Sequence, residues 1–528
     1  MLSLALKNRY RKAGRIMLRT LRQGLGRPIF GKAIAIGLTL CLLNLDLAVA
    51  LEAKRVLEPI APRRVTPPAL PKPSLMASLN AVLLQVIAVR EQPPVASAPG
   101  LPPAWGASAG VYGGVVNLGN GNLTLQLPLV GWSEGVGFTL VFNSQANPSQ
   151  PSPIAPKWTH NWQVSLTLNS SQTQAILQEG DGSRWVYTDA DGDGVFAPPT
   201  GLYDRLVRQS DGRYVLTRHG SEEQWVFGSS GNPRVLEQVV DKYGQAITLS
   251  YVNGQLNAVQ DRYGRALTLL YSNNRLWKVV DFTEREWELR YNAQGRLERV
   301  RFPKVENESS QPAVYEVVFG YNSRGNVVSW RDRLGKVWQY GYLSATSDVL
   351  KWFKDPNGNQ WTAFYSAVQP VGIQSSGTPE NGSSRWVDPT GVWVEYGFAA
   401  PTVVRMTQGG NGTTLRLTTR LWRNGQYQVV KRQDPAGLVW EWNYDSDGKL
   451  LWSKEPNGAQ TTYTYYPNSD RVWKITDALN HTWEYTYTSY GDVKSVQDPE
   501  NATTSYVYDY ELNEPAYGKV RKVIDPMG

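Results

Sequence analysis

An acidic residue is followed by an aromatic residue ten positions later at ten places in the second half of this chain. Where no insertion intervenes, successive units begin 20 to 22 residues apart. A fixed period of this length is typical of a repeat array, in which one small unit is stacked many times. Such an array builds a surface, a shell or a spacer. The pairs are Asp241/Tyr251, Asp261/Tyr271, Asp281/Tyr291, Asp332/Tyr342, Asp355/Tyr365, Asp388/Phe398, Asp434/Tyr444, Glu455/Tyr465, Asp477/Tyr487 and Asp498/Tyr508.

The acidic residue opens a four-residue turn signature, as in Asp355-Pro-Asn-Gly358 and Asp434-Pro-Ala-Gly437. This composition predicts a type I β-turn, because the carboxylate accepts bonds from nearby amides, proline fixes φ and glycine suits the exit. The copies of this turn signature differ in sequence. Asp281-Phe-Thr-Glu284 and Asp477-Ala-Leu-Asn480 lack both proline and glycine.

Strict period-two alternation follows each turn. Trp287, Leu289 and Tyr291 alternate with Glu288 and Arg290, which predicts a half-buried antiparallel strand. A second turn follows the aromatic residue, so each unit reads turn, strand, turn, strand. Ten units give about twenty strands, or roughly 100 Å of sheet at ~4.8 Å per strand. We therefore expect an all-β fold, a long twisted antiparallel sheet of repeated β-hairpins preceded by a strand-rich module.

The repeat, with best copies Tyr444-Asp445-Ser-Asp-Gly448 and Asp434-Pro-Ala-Gly437, resembles the YD repeat of the Rhs family. That family includes bacterial polymorphic toxins, insecticidal toxin complexes and the animal teneurins. The segments 116–124 and 158–162 are similar to the strand-rich module that precedes such repeats. The resemblance implies a spiralling sheet that, in longer relatives, closes into a hollow shell around a toxic C-terminal segment.

Four segments follow from the composition and the resemblance. Residues 1–50 are expected to be a signal peptide, 51–107 a Pro-rich linker, 108–232 an N-terminal β-rich module and 233–528 the array of about ten repeats. Within the linker, apolar residues between positions 75 and 87 form a helical stripe. It is either an amphipathic linker element or a helix that plugs the shell. Asp525-Pro-Met-Gly528 reads as the opening turn of an eleventh repeat.

The first fifty residues carry a basic stretch, an apolar run from Ala33 to Leu47 and the tripeptide Ala48-Val49-Ala50. This pattern predicts a secretory signal cleaved after Ala50, with export to the surface or the medium. The alternative is an uncleaved membrane anchor, although Asp46 near the end of the apolar run is costly within a span. A start at Met17 would give a signal of ordinary length.

The basic charge of the chain is confined to its first fifty residues. The chain holds 54 basic and 46 acidic residues, and nine of the basic residues but only one acid precede position 51. The remainder is balanced, so no nucleic-acid partner is expected. Cys41 is the only cysteine and would leave with the signal, so the mature protein would have no disulfide and no thiol nucleophile.

Catalytic motifs are weak. The repeated acids belong to turn signatures, and ten equivalent copies cannot all be active-site acids. Gly106-Ala-Ser108-Ala-Gly110 matches a hydrolase elbow but lacks strand-to-helix flanks, and His160, His219 and His481 lie far apart in sequence. We therefore expect no catalytic residues and no enzyme activity.

Asp189, Asp191 and Asp193 form the one candidate metal site. The run Asp189-Ala-Asp191-Gly-Asp193-Gly194 places carboxylates on alternate residues, as in the first half of a calcium loop. The bidentate acid expected at the twelfth place is missing, since that position is Thr200. The loop is therefore either a calcium site or a solvated acidic turn at a hairpin tip. Calcium is the only cofactor expected.

The sequence predicts a non-enzymatic secreted or surface protein that forms part of a β-shell or scaffold and lacks the C-terminal toxin. Its expected partners are a further YD-repeat segment or an enclosed polypeptide. The membrane would be a partner only if the signal stayed uncleaved. The alternative is an adhesin or carbohydrate-binding protein that uses exposed Trp and Tyr to bind a cell-surface glycan. The two differ in whether the aromatic face of the sheet looks inward or out to solvent.

Overall fold

The computed structural model describes residues 108–527, apart from 119, 133–135, 304–314, 366–381, 401–402, 411–416 and 513–516. The signal peptide (1–50) and the Pro-rich linker (51–107) with its helical stripe lie outside the described residues. All described residues belong to one compact unit. None of them forms a helix with the length and apolar character needed to cross a membrane.

A five-stranded antiparallel sheet opens the described chain, with its strands in sequence order. Its strands are rich in β-branched and aromatic residues, and most of their side chains are buried. The strands are β1 (Ser108–Val111), β2 (Gly114–Asn117), β3 (Leu123–Gly131), β4 (Gly137–Asn143) and β5 (Trp158–His160).

The next eight strands close into a ring. The first residues of the last strand pair with the first strand, Arg234 with Leu166 and Val235 with Ser165. Trp185, Tyr187, Phe196, Tyr214 and Phe227 are among the buried side chains of these strands. The strands are β6 (Ser165–Leu168), β7 (Gln174–Gln178), β8 (Arg184–Thr188), β9 (Val195–Phe196), β10 (Arg205–Arg208), β11 (Tyr214–Thr217), β12 (Gln224–Phe227) and β13 (Arg234–Val240).

Strand β13 also begins the long sheet, because its last residues, Gln238 to Val240, pair with the following strand, β14. From here each strand pairs antiparallel with the next one in sequence, in an unbroken series of hairpins. The predicted all-β fold, with a long antiparallel sheet of repeated hairpins, is confirmed. A 3-10 turn, Asp509–Leu512, interrupts the last hairpin.

The long sheet continues through 24 further strands. They are β14 (Ala246–Val252), β15 (Gln255–Gln260), β16 (Ala266–Ser272), β17 (Arg275–Val280), β18 (Glu286–Tyr291), β19 (Leu297–Arg301), β20 (Glu316–Tyr321), β21 (Val327–Arg331), β22 (Val337–Tyr342), β23 (Leu350–Lys354), β24 (Gln360–Tyr365), β25 (Gly382–Val387), β26 (Trp393–Ala400), β27 (Val403–Gly409), β28 (Leu417–Arg423), β29 (Val429–Gln433), β30 (Val439–Tyr444), β31 (Leu450–Lys454), β32 (Gln460–Tyr465), β33 (Val472–Thr476), β34 (Thr482–Tyr487), β35 (Val493–Gln497), β36 (Thr503–Tyr508) and β37 (Val520–Ile524).

The acidic residue of each unit holds a turn together. Asp261 Oδ1 accepts the backbone N–H of Tyr263 at 2.9 Å and that of Arg265 at 3.0 Å, and the Gly264 N–H bonds the Asp261 carbonyl at 3.0 Å. Gly264 has φ +80°, a conformation that glycine adopts without a steric cost. The turn predicted from the Asp-x-x-Gly signature is therefore present, and the carboxylate satisfies amides that the strand ladder leaves free.

A β-bulge accompanies the aromatic residue of the repeat. Tyr271 pairs with Leu276 while Leu270 pairs with Lys278, so Trp277 is an extra residue in its strand. The bulge brings Leu276 and Val279, which are three positions apart, onto the same buried face. The same shift occurs before Tyr251, Tyr291, Tyr321, Tyr342, Tyr444, Tyr465, Tyr487 and Tyr508.

The long sheet returns to its own beginning. The turn between β13 and β14 meets the turn between β34 and β35, 21 strands later: Lys242 Nζ lies 2.6 Å from Asp492 Oδ1, and the Tyr243 hydroxyl donates to the same oxygen at 2.9 Å. At ~4.8 Å per strand, one winding follows a path of roughly 100 Å. His219 and Asp470 make a second such contact, at 3.2 Å. These contacts establish a sheet that spirals, with successive windings touching through their turns.

The five-stranded sheet packs against the inner face of the first winding. Trp158 Nε1 donates to the Tyr321 hydroxyl at 3.0 Å, and Tyr112 stacks on Trp338 with 4.0 Å between ring centroids. Buried Lys157 pairs with Asp348 at 2.9 Å. Burial lowers the pKa of Lys157, and the hydrogen bond that Lys157 donates to Asp348 opposes that effect. One small sheet thus holds a curved stretch of the long sheet around it.

Candidate functional site

The acidic loop lies at the tip between β8 and β9, as its flanking strands predict. Asp189 Oδ1 accepts the N–H of Gly192 at 2.7 Å and Asp189 Oδ2 accepts that of Gly194 at 3.1 Å. Asp193 Oδ1 accepts the N–H of Val195 at 2.7 Å. Asp189 is buried, whereas Asp191 and Asp193 are exposed. Asp189 therefore shapes the loop, and the other two carboxylates face solvent.

The three carboxylates fit a small hard cation. One oxygen of each of Asp189, Asp191 and Asp193 lies within 4.8 Å of the others. Three negative charges at this spacing repel one another unless a cation or solvent intervenes. A carboxylate oxygen that accepts one amide keeps a lone pair for a metal, so the hydrogen bonds of Asp189 do not exclude it as a ligand. Calcium binding by this loop stays a prediction.

The acids that open the repeats are occupied by their turns. Asp281 is fully buried at its carboxylate and accepts the N–H groups of Thr283 and Arg285 as well as the Arg285 guanidinium at 2.6 Å. Burial alone would raise the pKa of Asp281, but the bonds from Arg285 and Thr283 lower it. A carboxylate held ionised by permanent donors is poorly suited to move protons. The structure thus gives these acids a structural role.

The three histidines lie in different places. His160, in β5, is buried against Phe138, and burial lowers the pKa of His160 to about 3. His219 faces Asp470 between two windings, and His481 lies 3.0 Å from Asp477 in a repeat turn. Ser108 of the G-x-S-x-G match begins strand β1 and pairs with Asn117, so it is not on a strand-to-helix turn. No Ser-His-Asp triad is assembled among the described residues.

A buried charge network in the ring was not anticipated from the sequence. Arg218 bonds Glu179 at 2.6 Å and Asp204 at 2.7 Å, and its guanidinium stacks over Trp225 at 4.1 Å from the ring centroid. Nearby, burial and the charge of Glu179 raise the pKa of Asp181 to about 6. The residues come from four different turns and strands, so no local motif could have revealed them. Each carboxylate that Arg218 contacts is neutralised by it, which is typical of a structural ion cluster.

The aromatic face of the repeats is the inner face of the spiral. In the unit that begins at Asp281, Trp287 and Leu289 are the sixth and eighth residues after the acid. They are only 4% and 1% exposed and belong to the hydrophobic core. In the unit that begins at Asp434 the same positions are Trp440 and Trp442, and both are half-buried and outside that core. The five-stranded sheet thus covers the early units, while the later units present aromatic rings that it does not cover.

Comparisons with known proteins gave structural likenesses only. No protein-family model matches the chain, and no curated protein matches it. A crystal structure of TcdB2-TccC3-Cdc42 is similar over 73% of this chain and 24% of that chain, at 13% identity and a TM-score of 0.26. A Photorhabdus luminescens Tc holotoxin pore is similar over 73% and 24%, at 12% identity and a TM-score of 0.23.

The crystal structure of TcdB2-TccC3 gives a similar result, covering 73% of this chain and 25% of that chain at 12% identity and a TM-score of 0.24. This chain therefore spans about a quarter of the length of the toxin-complex chains that it matches. At TM-scores of this size the likeness carries no functional argument, and function is argued from the geometry of the chain itself.

Proposed function

We propose that this chain is a non-enzymatic scaffold that forms part of a β-shell and receives a polypeptide against its inner face. The observation that carries the proposal is the uncovered aromatic surface of the later units, centred on Trp440 and Trp442. Aromatic side chains bury large apolar areas on contact and accept many different sequences. A concave face of this kind suits an extended or unfolded chain better than it suits one small ligand.

The absence of catalysis belongs to the same proposal. The acids of the repeats are bound by amides and by arginines, as at Asp261 and Asp281. A general acid or base needs a poised pKa and access to substrate. Beside the inner-face ring of Trp440, Glu455 accepts the indole N–H at 2.8 Å, so this acid too is engaged by a neighbouring side chain, which supports a shell over a hydrolase. Export of the protein, inferred from the leader ending at Ala50, is also proposed.

A binding assay with a non-native polypeptide tests the shell function. The exported protein is titrated against a fluorescently labelled protein that has been reduced and carboxymethylated so that it cannot refold. We expect the protein to bind the carboxymethylated probe and not to bind the native, compact form of the same probe. The double variant Trp440→Ala/Trp442→Ala should weaken binding at least tenfold, because it removes two rings from the uncovered inner face.

The matched control is Trp473→Ala. Trp473 occupies the bulge position of its unit, beside the buried Val472, and is itself 38% exposed, so it belongs to the outer face. It should leave binding unchanged. Equal losses from the inner and outer substitutions, or no binding of the unfolded probe at all, would contradict the proposal.

A further inference from the structure

Two neighbouring units carry glycine on the outer face immediately before the repeat tyrosine. These are Gly320, before Tyr321, and Gly341, before Tyr342. In most other units the same position holds a side chain, as at Leu270 and Arg290, which are exposed, although the unit of Asp388 also has a glycine there, Gly397. The paired glycines therefore lower the outer surface of the sheet across β20 to β23. Among the described units, these are the only two neighbours that both carry glycine at this position.

A cleft of about 520 Å³ lies at this place. Its volume falls within the range of small-molecule sites. Its lining includes Asn322, Ser329, Gln339, Gly341, Ser344 and Trp352. We refer to these six residues as the outer cleft.

The indole of Trp352 forms one wall of the outer cleft because Gly341 makes room for it. Gly341 and Trp352 are paired across β22 and β23. A Cβ atom at Gly341 would lie 2.0 Å from Cε2, 2.1 Å from Nε1 and 2.4 Å from Cζ2 of the indole. Three ring atoms at such similar distances mean that the ring lies flat against the glycine backbone. Trp352 is half-buried and lines the cleft, so part of its ring remains accessible to a ligand.

Polar groups beside the indole are held in place by the sheet. Ser329 pairs with Gln339 across β21 and β22, so both side chains project from the same face. Asn322 Oδ1 accepts the N–H of Arg324 at 3.1 Å and that of Asn326 at 3.0 Å, which fixes the amide group. Hydroxyls and amides of this kind can both donate and accept hydrogen bonds.

The lining contains no carboxylate, ammonium or guanidinium group. At its edge, the Arg296 guanidinium donates to the backbone carbonyl of Asn322 at 2.6 Å, and Lys354 Nζ lies 5.6 Å from the Trp352 ring centroid. A charged ligand would find no paired counter-charge in the outer cleft, and an apolar ligand would leave the amides and hydroxyls unsatisfied. A neutral ligand with many hydroxyls and one apolar face matches both features.

We infer that the outer cleft binds a neutral saccharide, with a sugar ring stacked on Trp352 and its hydroxyls bonded by Gln339 and Ser329. The apolar C–H face of a pyranose fits an aromatic ring, while its rim of hydroxyls fits amide and hydroxyl partners. This site lies on the outside of the sheet and is independent of the inner face. The chain would thus carry a glycan-binding function in addition to its scaffold role.

Affinity electrophoresis tests this inference. The exported protein is run through native gels that contain soluble neutral polysaccharides (xyloglucan, glucomannan, laminarin or dextran) or acidic polygalacturonate, and the affinity for a retarding polymer is then measured by calorimetry with its hexasaccharide. We expect retardation by at least one neutral polymer. Trp352→Ala should weaken the affinity at least tenfold, and Gln339→Ala several-fold.

Trp277→Ala is the matched control, because Trp277 is 40% exposed on the outer face but lies outside the outer cleft. Trp277→Ala and the conservative Trp352→Phe should both retain retardation, and melting temperatures identify any variant that fails to fold. No retardation by any neutral polymer, retardation by polygalacturonate alone, or unchanged affinity in Trp352→Ala would overturn the inference. Loss of the glycan site would leave binding of an unfolded chain unaffected, so the two functions fail separately.

Discussion

The Tyr271 hydroxyl donates a hydrogen bond of 2.9 Å to the backbone carbonyl of Leu256 in the neighbouring strand. The ladder between β15 and β16 ends at Ala258 and Thr268, so this carbonyl has no ladder partner there. The tyrosine therefore completes the hydrogen bonding that the bulge interrupts. The same bond, fifteen residues back along the chain, is made by Tyr251, Tyr291, Tyr342, Tyr365, Tyr465, Tyr487 and Tyr508.

This relationship predicts the cost of removing one hydroxyl. Tyr271→Phe should lower the free energy of unfolding by about 1–2 kcal/mol, because it leaves a part-buried carbonyl unsatisfied. Denaturant unfolding measures the loss. The control is Tyr506→Phe, because the Tyr506 hydroxyl is buried without a hydrogen-bond partner in the described part of the chain. A smaller loss from Tyr271→Phe than from Tyr506→Phe would contradict this role of the repeat tyrosine.

The uneven turns predict a stabilising substitution. Glu284 occupies the fourth place of its turn with φ 66°, a conformation that costs a non-glycine residue about 1 kcal/mol. Glu284→Gly should therefore stabilise the protein by about 0.5–1 kcal/mol, part of the gain being offset by the freer unfolded chain. Thermal unfolding monitored by circular dichroism measures it.

Gly244→Ala is the reverse test. Gly244 has φ +80° in an equivalent turn, and a Cβ added there meets no atom within 4 Å, so only the backbone conformation is affected. This variant should destabilise the protein by about 1 kcal/mol. If Glu284→Gly and Gly244→Ala changed stability in the same direction, the positive φ at the fourth place of the turn would not determine the stability of the turn.

The local half of the fold could be predicted from the sequence. The turn at Asp261 and the alternation of Trp287 with Glu288 are set by residues within a few positions, so their chemistry is visible in the sequence. The hydroxyl bond of Tyr271 could not be foreseen, because its acceptor lies fifteen residues away and depends on a bulge. Period-two alternation also misplaces residues beyond a bulge, since the extra Trp277 shifts the side chains that follow it to the other face.

Contacts between distant segments could not be predicted from the sequence either. The ring closes through Arg234 and Leu166, and the windings meet through Tyr243 and Asp492, at sequence separations of 68 and 249 residues. No periodic signal identifies such partners, because each contact depends on the accumulated twist and curvature of the sheet. The acidic loop was found from its sequence, since its three carboxylates lie within six residues. The outer cleft was not, because the glycine and the tryptophan that form it lie in different strands.

Chelation tests the acidic loop. If Asp189, Asp191 and Asp193 bind calcium, a chelator should lower the melting temperature of the wild type, because a ligand that binds only the folded state stabilises it. Asp191→Ala should abolish this response. Asp191 is the suitable site for substitution because it is exposed, whereas both oxygens of Asp189 bond loop amides.

Asp211→Ala serves as the control for that experiment. Asp211 is an acid in a neighbouring turn and bonds Arg213 at 2.7 Å outside the three-carboxylate cluster. This variant should keep the full response to chelator. Equal responses from wild type and Asp191→Ala would leave only a solvated acidic turn.

His160 predicts a loss of stability in mild acid. Burial beside Phe138 lowers the pKa of His160 from 6.5 to about 3. Between these values the unfolded chain binds a proton that the folded protein does not, so the free energy of unfolding falls as the pH falls. From pH 6.5 to 5 this one group should cost about 1.5–2 kcal/mol, since each pH unit in the window is worth ~1.4 kcal/mol. His160→Leu removes the titrating group and should remove that part of the slope.

The measurement is denaturant unfolding of wild type and His160→Leu at several pH values between 5 and 7, with the difference between the two proteins as the readout. Carboxylates elsewhere titrate equally in both proteins and cancel in that difference. Phe138→Leu is the control, because it disturbs the same buried contact without removing a titrating group, and its destabilisation should be the same at every pH. A His160→Leu difference that stays constant across the window would show that the imidazole can be protonated without unfolding the five-stranded sheet.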